Sequence, residues 1–258
     1  MSQTRTAQAD LDTTEGTKPW RSLIVQPVAV LAVAAGWLVW RLTAELSFGE
    51  APTLSWRALG TAFVEHLWLT FVSAGIVIVI FVPLGILLTR GRLKGLAGPV
   101  VAVANIGQAA PAIGLFVLLA MVPTLGFGRW TAVIALVAYA ALPVLRNTMV
   151  GLSGVDPRLI EAGRGMGMSA LAVLWRVELP IAVPVILAGL RTALVLLVGT
   201  AALAVFINAG GLGIFITTGV NLFLPRLLVS GALLIALLAL LIDWLGRVVE
   251  HVARPRGV

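Results

Sequence analysis

The sequence predicts an all-α integral membrane protein of about six transmembrane helices. Of its 258 residues, 60% are hydrophobic and only 11% are charged. A water-soluble domain of this length carries about 25% charged residues. The apolar residues lie in long runs, and none of the runs alternates over about ten residues, as the strands of a membrane β-barrel do. Composition and run length therefore indicate helices that cross a bilayer.

Six apolar runs approach the length of about 20 residues that a helix needs to span a membrane. The first and fourth are short, so we expect them to include flanking residues. The first also contains Ala32-Val33-Ala34, which fits a signal-peptide cleavage site, but the acidic tail before it is atypical of such a peptide. Cleavage would leave five spans. The six runs are Ile24–Trp40, Leu67–Leu88, Val100–Val122, Trp130–Leu145, Ile181–Ile207 and Leu227–Leu245.

The basic residues predict the orientation of these spans. If the N-terminus is cytoplasmic, the inner segments hold thirteen Lys and Arg residues and the outer segments hold four. Cytoplasmic loops carry such an excess, so we expect both termini in the cytoplasm. This distribution also explains the net charge of +7 without nucleic-acid binding. The absence of cysteine excludes a disulfide framework and a thiolate metal site.

We divide the chain into four regions. Residues 1–20 are predicted to be a disordered cytoplasmic tail, and residues 21–66 to hold the first span and an outer segment. Within that segment, apolar residues from Trp56 to Leu67 recur at three- and four-residue spacing, which favours a short amphipathic helix at the membrane interface. Residues 67–250 form the core of the protein, and residues 251–258 form a short, basic cytoplasmic tail.

Five residues are candidates for lining a solute path. Asn105, Gln108 and Pro111 interrupt the third span, either as a kink whose amides bond to neighbouring helices or as the lining of a path. Arg191 lies within the fifth span, so it faces a cavity or a partner group, or reaches towards the inner headgroups. Asn208 begins a glycine-rich loop that would permit a tight turn at the outer face, either as a gate or as a connector.

A charged, glycine-containing segment, residues 156–180, interrupts the apolar runs on the cytoplasmic side. Asp156 and Pro157 are typical of a helix start. We expect Glu161 to pair with Arg158 and Arg164 one turn away. The following glycines permit a bend, and we expect Gly167 to need either a positive φ or room for a close approach.

After the bend, Ser169 is predicted to cap a second short helix, Ala170–Glu178, and Pro180 to permit a turn into the next span. Leu171 and Trp175 give this helix an apolar side. Two short helices with an apolar ridge would suit a groove in a partner protein. They could equally pack on their own bundle or lie at the lipid headgroups.

The spacing of this segment resembles the EAA motif of permease subunits in binding-protein-dependent ABC importers of type I fold. The motif has Glu-Ala-Ala, then Gly after three residues, then Ile-x-Leu-Pro after nine. The sequence matches it with Glu161, Ala162, Gly167 and Leu179-Pro180, while Gly163 and Val177 replace Ala and Ile. The resemblance implies that this segment couples the permease to an ATPase, through Arg158, Glu161, Ala162, Gly163, Arg164, Gly167, Met168, Leu171, Trp175, Leu179 and Pro180.

Four further stretches of the sequence are most similar to the osmoprotectant branch of that family, whose permeases carry glycine betaine, carnitine and choline. They are Leu145–Thr148, Gly154–Pro157, Glu161–Met168 and Gly210–Gly213. The resemblance implies a multi-pass permease in the cytoplasmic membrane of a bacterium or archaeon. Its partners would be two ATP-binding subunits, a second permease chain and an external binding protein.

Two other functions remain open: an importer of an amino acid or another small solute, and an ATP-independent channel. The chain has no phosphate-binding loop of the Walker type. We therefore expect it to be no enzyme and to bind no cofactor, with ATP and Mg²⁺ held by the partner ATPase.

Overall fold

The computed structural model describes residues 19–253 of the chain. Residues 1–18 of the predicted tail and residues 254–258 lie outside the described range. Within residues 19–253 all regular secondary structure is helical, without a β-strand. The α-helices are α1 Pro19–Thr43, α2 Trp56–Leu88, α3 Ala97–Ala109, α4 Ala112–Ala120, α5 Arg129–Ser153, α6 Pro157–Gly165, α7 Ala170–Val173, α8 Leu179–Ala201, α9 Gly213–Asn221 and α10 Pro225–Ala253.

The described helices support the predicted number of spans. Five helical stretches are long and apolar enough to cross a membrane, and α3 with α4 makes a sixth if the pair counts as one broken span. The two members of that pair meet at an angle of 97°. The prediction of an all-α membrane protein with about six spans is therefore confirmed, with a third span that is sharply bent.

The bend between α3 and α4 has a clear chemical cause. Pro111 lacks the N–H that would continue the helix, and Ala110 before it takes an extended conformation with ψ 144°. The carbonyl oxygen of Ala110 then lacks a helical partner, and the hydroxyl of Tyr139 on α5 donates a hydrogen bond to it. The tyrosine thus satisfies a backbone group at membrane depth, as a break in a span requires.

Helix α2 is a single 33-residue helix, so the prediction of a separate interfacial helix before residue 67 is wrong. The hydroxyl of Ser55 accepts the N–H of Ala58 and caps the helix well before the predicted span. Leu59, Ala62 and His66 are buried against the bundle. Of the residues that recur at three- and four-residue spacing, Leu59 is buried, but Trp56 and Phe63 are exposed, so the pattern does not mark one packed face of this helix. An amphipathic pattern does not itself reveal whether its apolar side contacts lipid or protein.

The core lies between α2, α4, α5 and α8. Leu69, Phe116, Leu136 and Leu197, one from each of these helices, are fully buried. Helices α5 and α8 approach closely at Gly189, where a Cβ atom would lie 2.8 Å from the carbonyl oxygen of Pro143. Close approach through glycine is the usual way in which membrane helices gain packing contacts.

Helix α1 lies outside this core and packs against α10. The indole N–H of Trp37 donates to the hydroxyl of Ser230 over 3.1 Å, and that of Trp244 donates to the carbonyl of Leu23 over 2.7 Å. These tryptophans join two helices through polar contacts, in addition to any contact they make with the membrane interface.

Candidate coupling site and transport path

The coupling segment, residues 156–180, begins with a well-capped helix. The Asp156 carboxylate accepts the N–H of Arg158 over 2.8 Å, and Pro157 occupies the first turn of α6. This start matches the sequence prediction. Asp is a preferred N-cap residue, and Pro is favoured at the first helical position, where a backbone N–H would have no partner within the helix. Helix α6 ends at Gly165, so the EAA residues Glu161–Gly163 lie on one short helix.

A turn at Gly167 separates this helix from the next one. Gly167 has φ +82°, a left-handed conformation that favours glycine, which agrees with one of the two alternatives predicted for it. Across the turn, the N–H of Met168 donates to the carbonyl of Gly163 over 3.1 Å. Gly163 is buried, and a Cβ there would lie 3.3 Å from Val173. The small residue of the motif thus lets the two helices pack tightly.

The second helix of the segment differs from its prediction. Ser169 caps it through the N–H of Ala172, as predicted. However, the chain then continues as one helical stretch from Ala170 to Ile207, so the predicted turn into the span at Pro180 is wrong. The segment therefore has only one separate short helix, and its second half is the first part of the helical stretch that forms the fifth span.

A wider π turn at Leu174–Glu178 allows this continuity. Within an ordinary α-helix, the ring of Pro180 would clash with the carbonyl four residues earlier, and no N–H would bond to it. In the π turn, the N–H of Leu179 instead bonds to the carbonyl of Leu174, five residues before it. The helix thus passes the proline without a turn.

The coupling segment presents an exposed apolar surface. Met166, Leu171 and Trp175 are 73%, 65% and 64% exposed. Glu161 and Arg164 are also exposed. Among residues 19–253, Glu161 forms no ion pair, so its predicted pairing with the neighbouring arginines is wrong. A solvent-exposed pair within one helix contributes only about 0.3–0.5 kcal/mol, so hydration competes with it.

A partly buried ion pair joins the coupling segment to the end of α2. The guanidinium of Arg90 donates through Nη1 to Oε1 of Glu178 over 3.0 Å and through Nη2 to Oε2. The side chain of Glu178 is only 3% exposed. Glu178 is the last residue of the π turn, and Arg90 lies in the turn that ends α2, where its N–H bonds to the carbonyl of Leu87.

A second polar cluster lies at the opposite end of α2, which the basic residues predict to be the outer end. Glu65 accepts the N–H of Gly211 through Oε2 and pairs with Arg129 through Oε1 over 2.6 Å. Nδ1 of His66 accepts the N–H of Leu212, so the ring is neutral with its proton on Nε2, which lies 3.0 Å from the carbonyl oxygen of Val198. We call Glu65, His66, Gly211 and Leu212 the outer latch.

The glycine-rich loop makes this latch possible. Asn208 has φ +58°, and Gly210 and Gly211 have φ +84° and +95°. A Cβ on Gly210 would lie 2.2 Å from Oε2 of Glu65. The predicted tight turn is therefore present, and the absence of side chains lets the carboxylate approach the backbone.

The five predicted path residues do not form one cluster. Asn105 and Pro111 are exposed and Gln108 is half-buried, all on the bent α3–α4 pair. Arg191 instead faces α10, with its guanidinium 3.9 Å from Asp243 and 3.8 Å from Glu250. Asn208 lines an outer cavity of about 450 Å³ together with Arg57, Thr61 and Glu65.

Sequence reasoning missed the polar contacts at both ends of α2. In the sequence analysis, Arg90 is only one of the thirteen basic residues counted for the inner segments, and Glu178 is only the last residue of the predicted helix Ala170–Glu178. The partners are 88 residues apart in sequence in the inner pair and 146 residues apart in the latch. The one feature of the sequence that could have indicated the inner pair is Glu178 itself. An acidic side chain directly before an apolar span must be either hydrated or paired with a cation.

The described residues contain no group of three or more His, Cys, Asp or Glu side chains that could hold a metal ion.

Comparison with known proteins supports the same interpretation. Residues 81–254 match the family described as "Binding-protein-dependent transport system inner membrane component". The chain is 41% identical over 194 residues to the glycine betaine/carnitine/choline transport system permease protein OpuCB of Bacillus subtilis, covering 75% of this chain and 88% of that protein. It is 43% identical over 197 residues to the osmoprotectant import permease protein OsmW of Salmonella typhimurium, covering 75% and 91%.

Solved structures give the corresponding fold. A chain from an inward-facing structure of the MetNI methionine ABC transporter has a TM-score of 0.68 and 26% identity, over 81% of this chain and all of that chain. A second crystal form of the same transporter gives a TM-score of 0.66 and 27% identity, over 76% of this chain and 96% of that chain. On sequence and fold together, the chain belongs to the family of inner membrane components of binding-protein-dependent transport systems, as a permease subunit with the type I ABC importer fold.

Proposed function

We propose that this permease forms the membrane path for a small zwitterionic or cationic osmolyte such as glycine betaine, choline or carnitine. The observation that carries the proposal is the identity of 41–43% to relatives named for these solutes, over three quarters of the chain. The similarity to the methionine transporter is weaker in sequence, at 26–27% identity. Methionine is therefore the second solute class that the experiment must include.

The coupling segment docks on a separate ATPase subunit. Its exposed Leu171 and Trp175 offer a large apolar contact, and burial of such side chains is what a partner groove provides. The exposed Glu161 and Arg164 beside them supply charges that orient the contact. The ATPase holds ATP and Mg²⁺, and this chain binds neither.

The complete importer contains two permease chains, identical or related, two ATPase subunits and an external binding protein. Both termini of this chain lie in the cytoplasm, which places the coupling segment beside the ATPases and the outer latch beside the binding protein. ATP binding draws the ATPases together, the coupling segments follow, and the two permease chains alternate between inward and outward access. Asn105, Gln108 and Pro111 line the path on the bent span.

A reconstituted complex tests the proposal. The permease, its ATPase and its cognate binding protein are placed in proteoliposomes, and uptake of radiolabelled glycine betaine, choline, carnitine and methionine is compared with and without internal ATP. We expect ATP-dependent uptake of at least one osmolyte and none of methionine. Uptake of methionine alone would refute the solute assignment, and uptake that continues without ATP would indicate a channel.

A further inference from the structure

Helix α2 links the two faces of the membrane. With 33 residues it is about 50 Å long, since an α-helix rises about 1.5 Å per residue. Its inner end carries the Arg90–Glu178 pair, and its outer end carries the outer latch. Both ends therefore make side-chain contacts that hold α2 to other parts of the chain.

The inner contact is firm. Two hydrogen bonds join planar groups, so the pair resists rotation as well as separation. Arg90 is fixed to the end of α2 because its N–H bonds to the carbonyl of Leu87, and the hydroxyl of Thr89 bonds to that of Ile86. Among the described residues, no other ion pair or side-chain hydrogen bond joins α2 or its final turn to the coupling segment.

The outer contact reaches the same helical stretch and the loop after it. His66 lies 3.0 Å from the carbonyl oxygen of Val198 near the outer end of α8, and the latch also binds the backbone of Gly211 and Leu212. Helix α8 continues directly from the coupling segment. Helix α2 is thus held by side-chain contacts to the helical stretch Ala170–Ile207 at both of its ends.

We propose that Arg90 and Glu178 are positioning residues that fasten α2 to the coupling segment, so that movement imposed by the ATPase reaches the outer glycine loop through α2. The proposal rests on the coupling role given to the segment above. A displacement of the cytoplasmic end moves α2 and α8 together, and the latch carries the displacement to the glycine loop, whose Gly210 and Gly211 line the outer cavity.

The first experiment separates transmission from docking. Glu178→Gln and Arg90→Gln remove the charge pair, while Arg92→Gln removes an exposed charge from the same loop and serves as the control. We expect both pair variants to bind the ATPase and hydrolyse ATP, whereas solute transported per ATP falls at least about tenfold, within the range of coupling between distant sites. The control should keep the wild-type ratio.

A second measurement follows the outer face directly. The chain has no cysteine, so Thr61→Cys provides a single thiol in the outer cavity. In the otherwise wild-type complex we expect ATP to change its labelling rate by an impermeant maleimide. With Glu178→Gln added, ATP should leave the rate unchanged although ATP hydrolysis continues.

A double variant guards against misfolding. Glu178→Met with Arg90→Met removes both charges, so the site of the buried Glu178 carboxylate is not left with an unpaired charge, a replacement that proteins often tolerate. It should insert and bind the ATPase but lose the ATP-dependent change at Thr61→Cys. If any pair variant keeps both full transport per ATP and the ATP-dependent labelling, the proposal is wrong. If the wild-type permease does not bind the ATPase, the proposed function itself fails and this inference with it.

Discussion

The turn at Gly167 gives the sharpest prediction about the coupling segment. Its φ is +82°, and no heavy atom lies within 4 Å of the place where a Cβ would stand. Gly167→Ala therefore meets no steric obstacle, and its whole cost is the left-handed backbone, about 1–2 kcal/mol for an L-residue. An energy of this size is a factor of about 5–30 in an equilibrium.

The free-energy cost of the left-handed backbone in Gly167→Ala should weaken the binding of the ATPase. The turn is exposed, so in the free variant it relaxes towards a conformation that alanine favours. Docking must then restore the strained turn, and we expect the dissociation constant for the ATPase to rise by about 5–30-fold. Gly167→Val should lose more, because a β-branched side chain is still less compatible with positive φ.

Gly165→Ala is the matched control. Gly165 is two residues away and exposed, and it ends α6 without positive φ. A Cβ added there would also have no heavy atom within 4 Å. Alanine is favoured over glycine in a helix by about 0.5–1 kcal/mol, so this variant should bind the ATPase at least as well as the wild type.

The assay is titration of the ATPase subunit onto the permease in nanodiscs, after size-exclusion chromatography has shown that each variant is inserted and monodisperse. Equal dissociation constants for Gly167→Ala and Gly165→Ala would refute the reasoning, because they would show that the left-handed turn is not required for docking.

Four further predictions concern other parts of the chain. Gly213→Ala would place a methyl group 1.9 Å from a backbone carbonyl oxygen, so it should lower the stability of the detergent-solubilised protein by at least about 1–3 kcal/mol, seen as a lower melting temperature. Tyr139→Phe leaves the carbonyl at the α3–α4 bend without its donor, which should cost about 1–3 kcal/mol in the same assay. The pKa of Glu50 is lowered, chiefly by the backbone N–H of the nearby serine, so its stabilising effect is present above its unfolded pKa and is lost as the pH falls through the folded pKa. Glu50→Gln should therefore melt below the wild type at neutral pH, and the difference should vanish in acid; a constant difference would contradict this. In intact cells, Thr53→Cys should react with an impermeant thiol reagent and Ser169→Cys should not, and the reverse pattern would invert the topology.

The sequence was a good guide wherever one residue type has one dominant physical consequence. Long apolar runs predicted the spans, and Asp156 and Ser169 predicted two helix starts that the structure contains. Gly167 was expected to need positive φ or close-approach room, and it has φ +82°. Each of these inferences depends only on neighbours within a few positions along the chain.

Inference from the sequence failed where the outcome depends on distant partners or on competing local structures. Pro180 predicts a break, but the π turn before it lets the helix continue. Glu161 has arginines at helical spacing, yet water competes for its exposed carboxylate. The contacts of Arg90 and Glu65 are set by the packing of α2 against α8 and the glycine loop, and no periodicity within one segment encodes that packing.

The central claim is that residues 156–180 are the surface on which the ATPase acts, and photocrosslinking tests it most directly. A benzoylphenylalanine replaces Trp175 in the coupling segment or, as control, the similarly exposed Trp56 at the outer start of α2. After irradiation of the assembled complex, we predict a crosslink from position 175 to the ATPase subunit and none from position 56. Failure of position 175 to crosslink to the ATPase in a complex that hydrolyses ATP and transports solute would contradict the account.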